Sequence, residues 1–129
     1  MTFLEIGLNK NIQRSIADLG FERPTPIQQE VIPFLLENEN DLIALAQTGT
    51  GKTAAFGMPI IHKIKLERKL PQSIILCPTR ELCLQITKDM NSYAKYIKGL
   101  KITAVYGGAN IQPQIKSLNS GTQIVVGTP

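Results

Sequence analysis

AQTGTGKT, residues 46–53, is the stretch whose reading decides the fold. It follows the apolar run Asp41 to Leu45, which reads as a buried parallel strand, and it precedes a helical pattern. In such a loop Gly49 and Gly51 let the chain turn tightly. Successive N–H groups from Ala46, Gln47, Thr48, Thr50 and their neighbours then point into one cavity and hold phosphate oxygens. The helix starting near Lys52 adds its positive end. Lys52 is placed to reach the β- and γ-phosphates of a nucleotide, and the Thr53 hydroxyl to sit on the magnesium ion that bridges them. The general pattern G-x-x-x-x-G-K-[ST] has glycine where this chain has Ala46. A ligand-free turn between a strand and a helix needs neither Lys52 nor Thr53.

At 129 residues and 43% hydrophobic, the chain has the size and apolar content of one globular domain. Its net charge of +4 is compatible with a polyanionic partner but does not demand one, since Lys63, Lys65, Arg68 and Lys69 also suit a solvated helix end. Cys77 and Cys83 form neither a metal-ligand spacing nor a disulfide framework, so they read as small core residues of a reduced protein. His62, the one histidine, has no ligand pattern beside it and reads as a helix-surface residue. No apolar run approaches the ~20 residues of a membrane helix, and no signal layout opens the chain, so a cytoplasmic location with no membrane partner is expected.

Along the chain, Leu8, Ile12, Ile16 and Leu19 recur at helical spacing, with Gly20 where a C-cap belongs. In FERPTPIQQE, Pro26 opens a second helix that runs to about Glu37, with Pro33 a candidate kink. Strands are expected at 41–45, 73–77, 101–105 and 122–126, and helices at 52–66, 80–97 and 110–119. This alternation predicts an α/β fold, a mostly parallel sheet flanked by helices, with the loop after each strand on one rim. Those loops carry chemistry. Thr79 and Arg80 in PTREL offer a hydroxyl, a guanidinium and a helix N-terminus to a second line of phosphates, although an ordinary helix start has the same look. Gly107-Gly108 permits close approach of a nucleic-acid backbone, or makes only a turn.

Taken together these strings resemble the DEAD-box family of ATP-dependent RNA helicases, and the resemblance runs from Phe3 to Pro129. Ala46 fits the family's own form of the phosphate loop, A-x-T-G-x-G-K-T. GFERPTPIQ at 20–28 looks like the Q motif, with Phe3 similar to the aromatic upstream of it. PTRELC at 78–83 resembles motif Ia, with Cys83 where alanine is usual; Gly107-Gly108 resembles the GG element, and Thr128-Pro129 the first half of motif Ib. The resemblance implies a partial RecA-like P-loop domain. Residues 1–40 would be a helical segment bearing the Q motif and 41–129 an incomplete ATP-binding core, together one domain. It implies ATP and Mg2+ as cofactors and RNA as the partner, held by its backbone through Thr79, Arg80, Gly107, Gly108 and Thr128. By the same resemblance Gln28 reads the adenine edge, Phe21 stacks on the ring, and Thr25 ties this segment to the phosphate loop. A Gln carboxamide donates and accepts at once, which matches adenine N7 and N6 but not the two acceptors of guanine.

The family's D-E-A-D string does not occur in these residues. The resemblance therefore implies a piece that hydrolyses ATP very slowly or not at all by itself. Such a piece would leave apolar surface and strand edges unpaired and would be prone to self-associate. An alternative from another class is a P-loop nucleotide-binding or interaction module without helicase activity. A third is a helicase acting on DNA, which the full GFERPTPIQ string disfavours.

Overall fold

A computed structural model describes all residues from Met1 to Pro129. They form two compact units, Met1–Lys63 with Ser92–Ile97, and Ile64–Asn91 with Lys98–Pro129.

The first unit is helical. A short 3-10 turn, Phe3–Glu5, leads to α1 (Lys10–Asp18), α2 (Pro26–Glu37) and α3 (Lys52–Lys63). The Asn9 side chain caps α1 by accepting the Ile12 N–H, and Leu8, Ile12 and Ile16 are buried as their spacing predicts, whereas Leu19, at the C-cap beyond the last helical turn, is 40% exposed. Thr25 and Gln28 form a capping box at the start of α2, with Pro26 in the first turn, where a missing N–H costs nothing. Pro33 lies inside α2 without ending it. Both the N–H and Nδ2 of Asn38 bond Phe34 O and close the helix. α2 packs on α3, and Ile12, Ile32 and Met58 are fully buried.

The strand expected at 41–45 does not form. Residues 41–47 join no ladder, and Ile43 and Leu45 are each 89% exposed. A run of aliphatic residues states a preference for burial, but a strand exists only through its neighbours, and none pairs here. Leu42 to Leu45 instead line a groove of about 290 Å³ with Ile27, Glu30, Val31 and Phe34 of α2.

The second unit contains the sheet, β1 (Ser73–Leu76), β2 (Ile102–Val105) and β3 (Ile124–Gly127), in the order β1-β3-β2 with both pairs parallel. The connections run through α4 (Arg80–Tyr93) and α5 (Ile111–Leu118), as parallel neighbours require. Leu76 and Val105 both pair with Gly127, so the three strands end at one level. The helix expected to reach residue 66 stops at Lys63, and the Gln72 side chain engages the chain just beyond it. That side chain accepts from the Lys65 N–H and donates to the carbonyls of Lys65 and Arg68, shaping a turn. α4 likewise stops at Tyr93 rather than 97, and an Ile97 N–H to Ala94 O bond closes the turn that follows.

Both cysteines are buried and unpaired, as small core residues should be. The Cys83 thiol donates to Val126 O at 3.2 Å and the Cys77 thiol to Gly127 O at 3.5 Å. Burial, and then the neighbouring Cys77, push the Cys83 thiol above its ordinary range, which keeps it protonated and unreactive. No helix is long and apolar enough to cross a membrane.

His62 is not a plain surface residue: it is half-buried, and its Nδ1 accepts the Asn9 N–H at 3.1 Å. Burial, then the charge of Lys63, lower its pKa. The unfolded chain, with a histidine near about 6.5, then binds more protons than the folded one, so stability rises with pH. This contribution is complete above the unfolded value and is lost as pH falls through the lower folded value. The midpoint of urea unfolding should therefore be lower at pH 5 than at pH 7.5, and His62→Ala should shrink that difference. An unchanged difference in the variant would refute the role given to His62.

Candidate functional site

The phosphate loop and the Q-motif stretch lie in the first unit and are joined by hydrogen bonds. Thr25 Oγ1 donates to Thr50 O at 2.7 Å, and Gln28 Nε2 donates to Gly51 O at 3.1 Å. Gln28 Oε1 accepts the Thr25 N–H at 3.0 Å, so one carboxamide serves both the cap of α2 and the loop. These bonds also fix which way the carboxamide faces, because only Nε2 can meet a carbonyl and only Oε1 an N–H. Gln28 is 4% exposed, and both its polar atoms have partners within the chain. Each atom keeps one further valence, a hydrogen on Nε2 and a lone pair on Oε1.

The loop itself is built as the sequence requires. Gly49 and Gly51 have φ of +78° and +82°, and Thr50 Oγ1 bonds Gln47 O across the turn at 2.6 Å. The Ala55 N–H reaches back to Gly51 O, which leaves the N–H groups of Lys52, Thr53 and Ala54 as the open end of α3. Gln47, Thr48, Gly49 and Lys52 are exposed, while Ala46, Thr50 and Thr53 are half-buried. Two glycines in the left-handed region, an open helix N-terminus and a free lysine fit a chain of phosphates. No cluster of acidic, histidine or cysteine side chains in the chain could hold a metal. Phe3, 3% exposed, stacks on Phe21 with ring centroids 6.4 Å apart, and Phe21 is 40% exposed.

The second set of expected residues lies in the second unit, at the level where the strands end. Thr79, between β1 and α4, accepts the Leu82 N–H at 3.1 Å; its oxygen serves the helix start while its hydroxyl hydrogen remains available. Arg80 is exposed and lies 5.0 Å above the ring of Tyr106. Gly107 and Gly108 follow Tyr106, and Thr128 follows β3 with its N–H on Val105 O at 3.1 Å. Gly108 has φ of +80°, which explains a glycine there, whereas Gly107 has an ordinary φ and a Cβ on it would meet nothing. Nothing inside the chain requires Gly107 to be small. Sequence reasoning missed Tyr106 and Gln114, whose carboxamide bonds the Tyr106 backbone. An aromatic before a glycine pair was a visible signal, but a glutamine in a helix is indistinguishable from a solvated one.

The family model of the DEAD/DEAH box helicases matches residues 25–129, which takes in every expected site residue except Phe21. The chain belongs to the DEAD/DEAH box helicase family. It is 46% identical over 128 residues to the ATP-dependent RNA helicase DeaD of Escherichia coli K12, covering 99% of this chain and 20% of that protein. It is 50% identical over 127 residues to the ATP-dependent RNA helicase CshA of Listeria monocytogenes, covering 98% and 24%. Among solved structures it resembles a DEAD box protein from Methanococcus jannaschii, with TM-score 0.93, 46% identity, and coverage of 100% of this chain and 35% of that one. It also resembles a variant of Saccharomyces cerevisiae Dbp5 bound to RNA and ADP BeF3, with TM-score 0.88, 32% identity, and coverage of 99% and 32%. The chain thus spans about a fifth to a quarter of the length of these curated DEAD-box relatives.

Gly51 is the residue on which this DEAD-box loop is least tolerant. A side chain there would adopt a left-handed conformation and its Cβ would strike Gln28 Nε2. Gly51→Ala should cost about 2 kcal/mol or more, combining backbone strain with loss of a bond to the loop. Chemical denaturation measures it; a loss below about 0.5 kcal/mol would contradict this packing.

Proposed function

We propose that these residues form the nucleotide-binding part, and one stretch of the RNA-binding part, of an ATP-dependent RNA helicase that remodels short RNA duplexes. The observation that carries this reading is the common level of the strand ends, where Leu76 and Val105 both pair with Gly127. The loops after β1 and β2 and the residues after β3 leave the sheet there, bringing Thr79, Arg80, Gly107, Gly108 and Thr128 to one end of it. A guanidinium, hydroxyls and unencumbered backbone suit the repeating phosphates and sugars of a single strand and read little base sequence. The small size of Gly107, which the chain itself does not use, supports close approach of an outside backbone.

In this reading the loop from Ala46 to Thr53 holds the phosphates of ATP. Lys52 would neutralise charge on the β- and γ-phosphates, and the Thr53 hydroxyl would help hold a magnesium ion. Bound magnesium would supply charge neutralisation between phosphate oxygens. Phe21, with one face on Phe3, offers its exposed side to the base. Gln28 meets adenine through its remaining hydrogen and lone pair, in an orientation that Thr25 and Gly51 already fix. ATP binding would favour a closed state of the whole helicase that grips and bends one RNA strand, and hydrolysis would release it. A cytoplasmic location accords with RNA as the substrate and with the lack of a membrane-crossing helix.

Lys52→Ala in the full-length protein should abolish ATP-dependent unwinding of a short RNA duplex, read by strand-displacement fluorescence; retained unwinding would sink the assignment. Gly107→Ala separates folding from binding. Its thermal stability should stay within about 0.5 kcal/mol of the wild type. Its affinity for single-stranded RNA should fall severalfold, and unchanged affinity would remove this loop from the RNA site.

A further inference from the structure

The side chain of Gln114 makes more hydrogen bonds than any structural need of α5 explains. Its Oε1 accepts the Tyr106 N–H at 3.0 Å, and its Nε2 donates to Tyr106 O at 3.1 Å and to Asn110 O at 3.4 Å. One carboxamide therefore grips both backbone groups of the residue that follows β2 and the residue that caps α5. The loop between them, 107–110, is exposed throughout and contains the glycine pair. Asn110 also caps α5 through the Gln112 N–H at 3.1 Å. Gly107-Gly108 by itself has wide conformational freedom, and ordering it on a ligand would cost entropy. Closing the loop at both ends removes much of that cost before a ligand arrives.

The chain of contacts continues past the loop. Tyr106, with its backbone fixed by Gln114, places its ring beneath the Arg80 guanidinium at 5.0 Å. A long arginine side chain has much rotamer freedom, and an aromatic face reduces it while leaving the guanidinium edge open to acceptors. Gln114 on α5, Tyr106 after β2 and Arg80 at the start of α4 are thus linked in series, from an amide clamp to a phosphate-seeking cation.

The geometry points to Gln114 as a positioning residue for the RNA backbone. Through Tyr106 it sets the shape of the Gly107-Gly108 loop and the seat of Arg80. This inference rests on the reading of that surface as an RNA site. Gln114 touches no RNA in this account; it determines how much order the RNA must impose.

The test uses the full-length protein, with RNA-stimulated ATP turnover and fluorescence-anisotropy binding of a single-stranded oligonucleotide as readouts. Gln114→Ala should raise the half-saturating RNA concentration about tenfold, the consequence of losing a bidentate clamp. Turnover at saturating RNA, affinity for ATP without RNA, and the thermal midpoint should stay close to wild type, which loss of folding would not allow. Tyr106→Leu removes the ring but leaves the Gln114 bonds to the backbone, and should weaken RNA binding by a similar factor. Because the two residues act in series, the double variant should lose little more than either single one. Losses that multiply would overturn the series arrangement. Unchanged RNA dependence in Gln114→Ala, beside a wild type that binds RNA, would overturn the positioning role alone. A wild type that binds no RNA would overturn the RNA reading and this role with it. Should Gln114→Ala fail to fold, Tyr106→Leu still decides, since unchanged RNA binding there contradicts the seat proposed for Arg80.

Discussion

Two hydrogen bonds, from Thr25 to the Thr50 carbonyl and from Gln28 to the Gly51 carbonyl, hold the phosphate loop to helix α2. Among these 129 residues the stretch before the loop, 41–47, pairs with no strand. The loop is tied to the cap of α2, which lies well before it in the chain. This makes the capping box of α2 more than a helix start. The same side chains that satisfy orphan N–H groups at its N-terminus also accept responsibility for the turn at Gly49 to Gly51.

The second unit solves a different problem with a parallel register. Pairing Leu76 and Val105 with the same residue, Gly127, brings the ends of all three strands to one level. Gly127 is itself constrained, since a Cβ would come within 3.2 Å of Val105 O. Above that level the chain invests in order: Thr79 caps α4, Gln114 clamps Tyr106, and Tyr106 carries Arg80.

Much of this was legible in the residues. The stripe Leu8, Ile12 and Ile16, the cap at Thr25-Pro26, the glycines of the loop and three of four strands follow from local rules of spacing and capping. What failed was non-local. Asp41 to Leu45 has the composition of a buried strand, but pairing depends on neighbours that no window of sequence contains. His62 looked idle because its partner, the Asn9 N–H, lies 53 residues away. Gln114 was invisible for a related reason, since its partner is a backbone group and leaves no mark in composition. Gln28 was legible by type but not by state: its carboxamide already serves Thr25 and Gly51, which a motif cannot reveal.

That state gives the account its sharpest consequence. A carboxamide locked by Thr25 and Gly51 has one donor and one acceptor left, in a fixed order, and guanine asks for two donors. Isothermal calorimetry of ATP and GTP on the full-length protein tests this most directly. ATP should bind at least about tenfold more tightly than GTP. Equal affinities would contradict both the reading of Gln28 and the clamp that orients it.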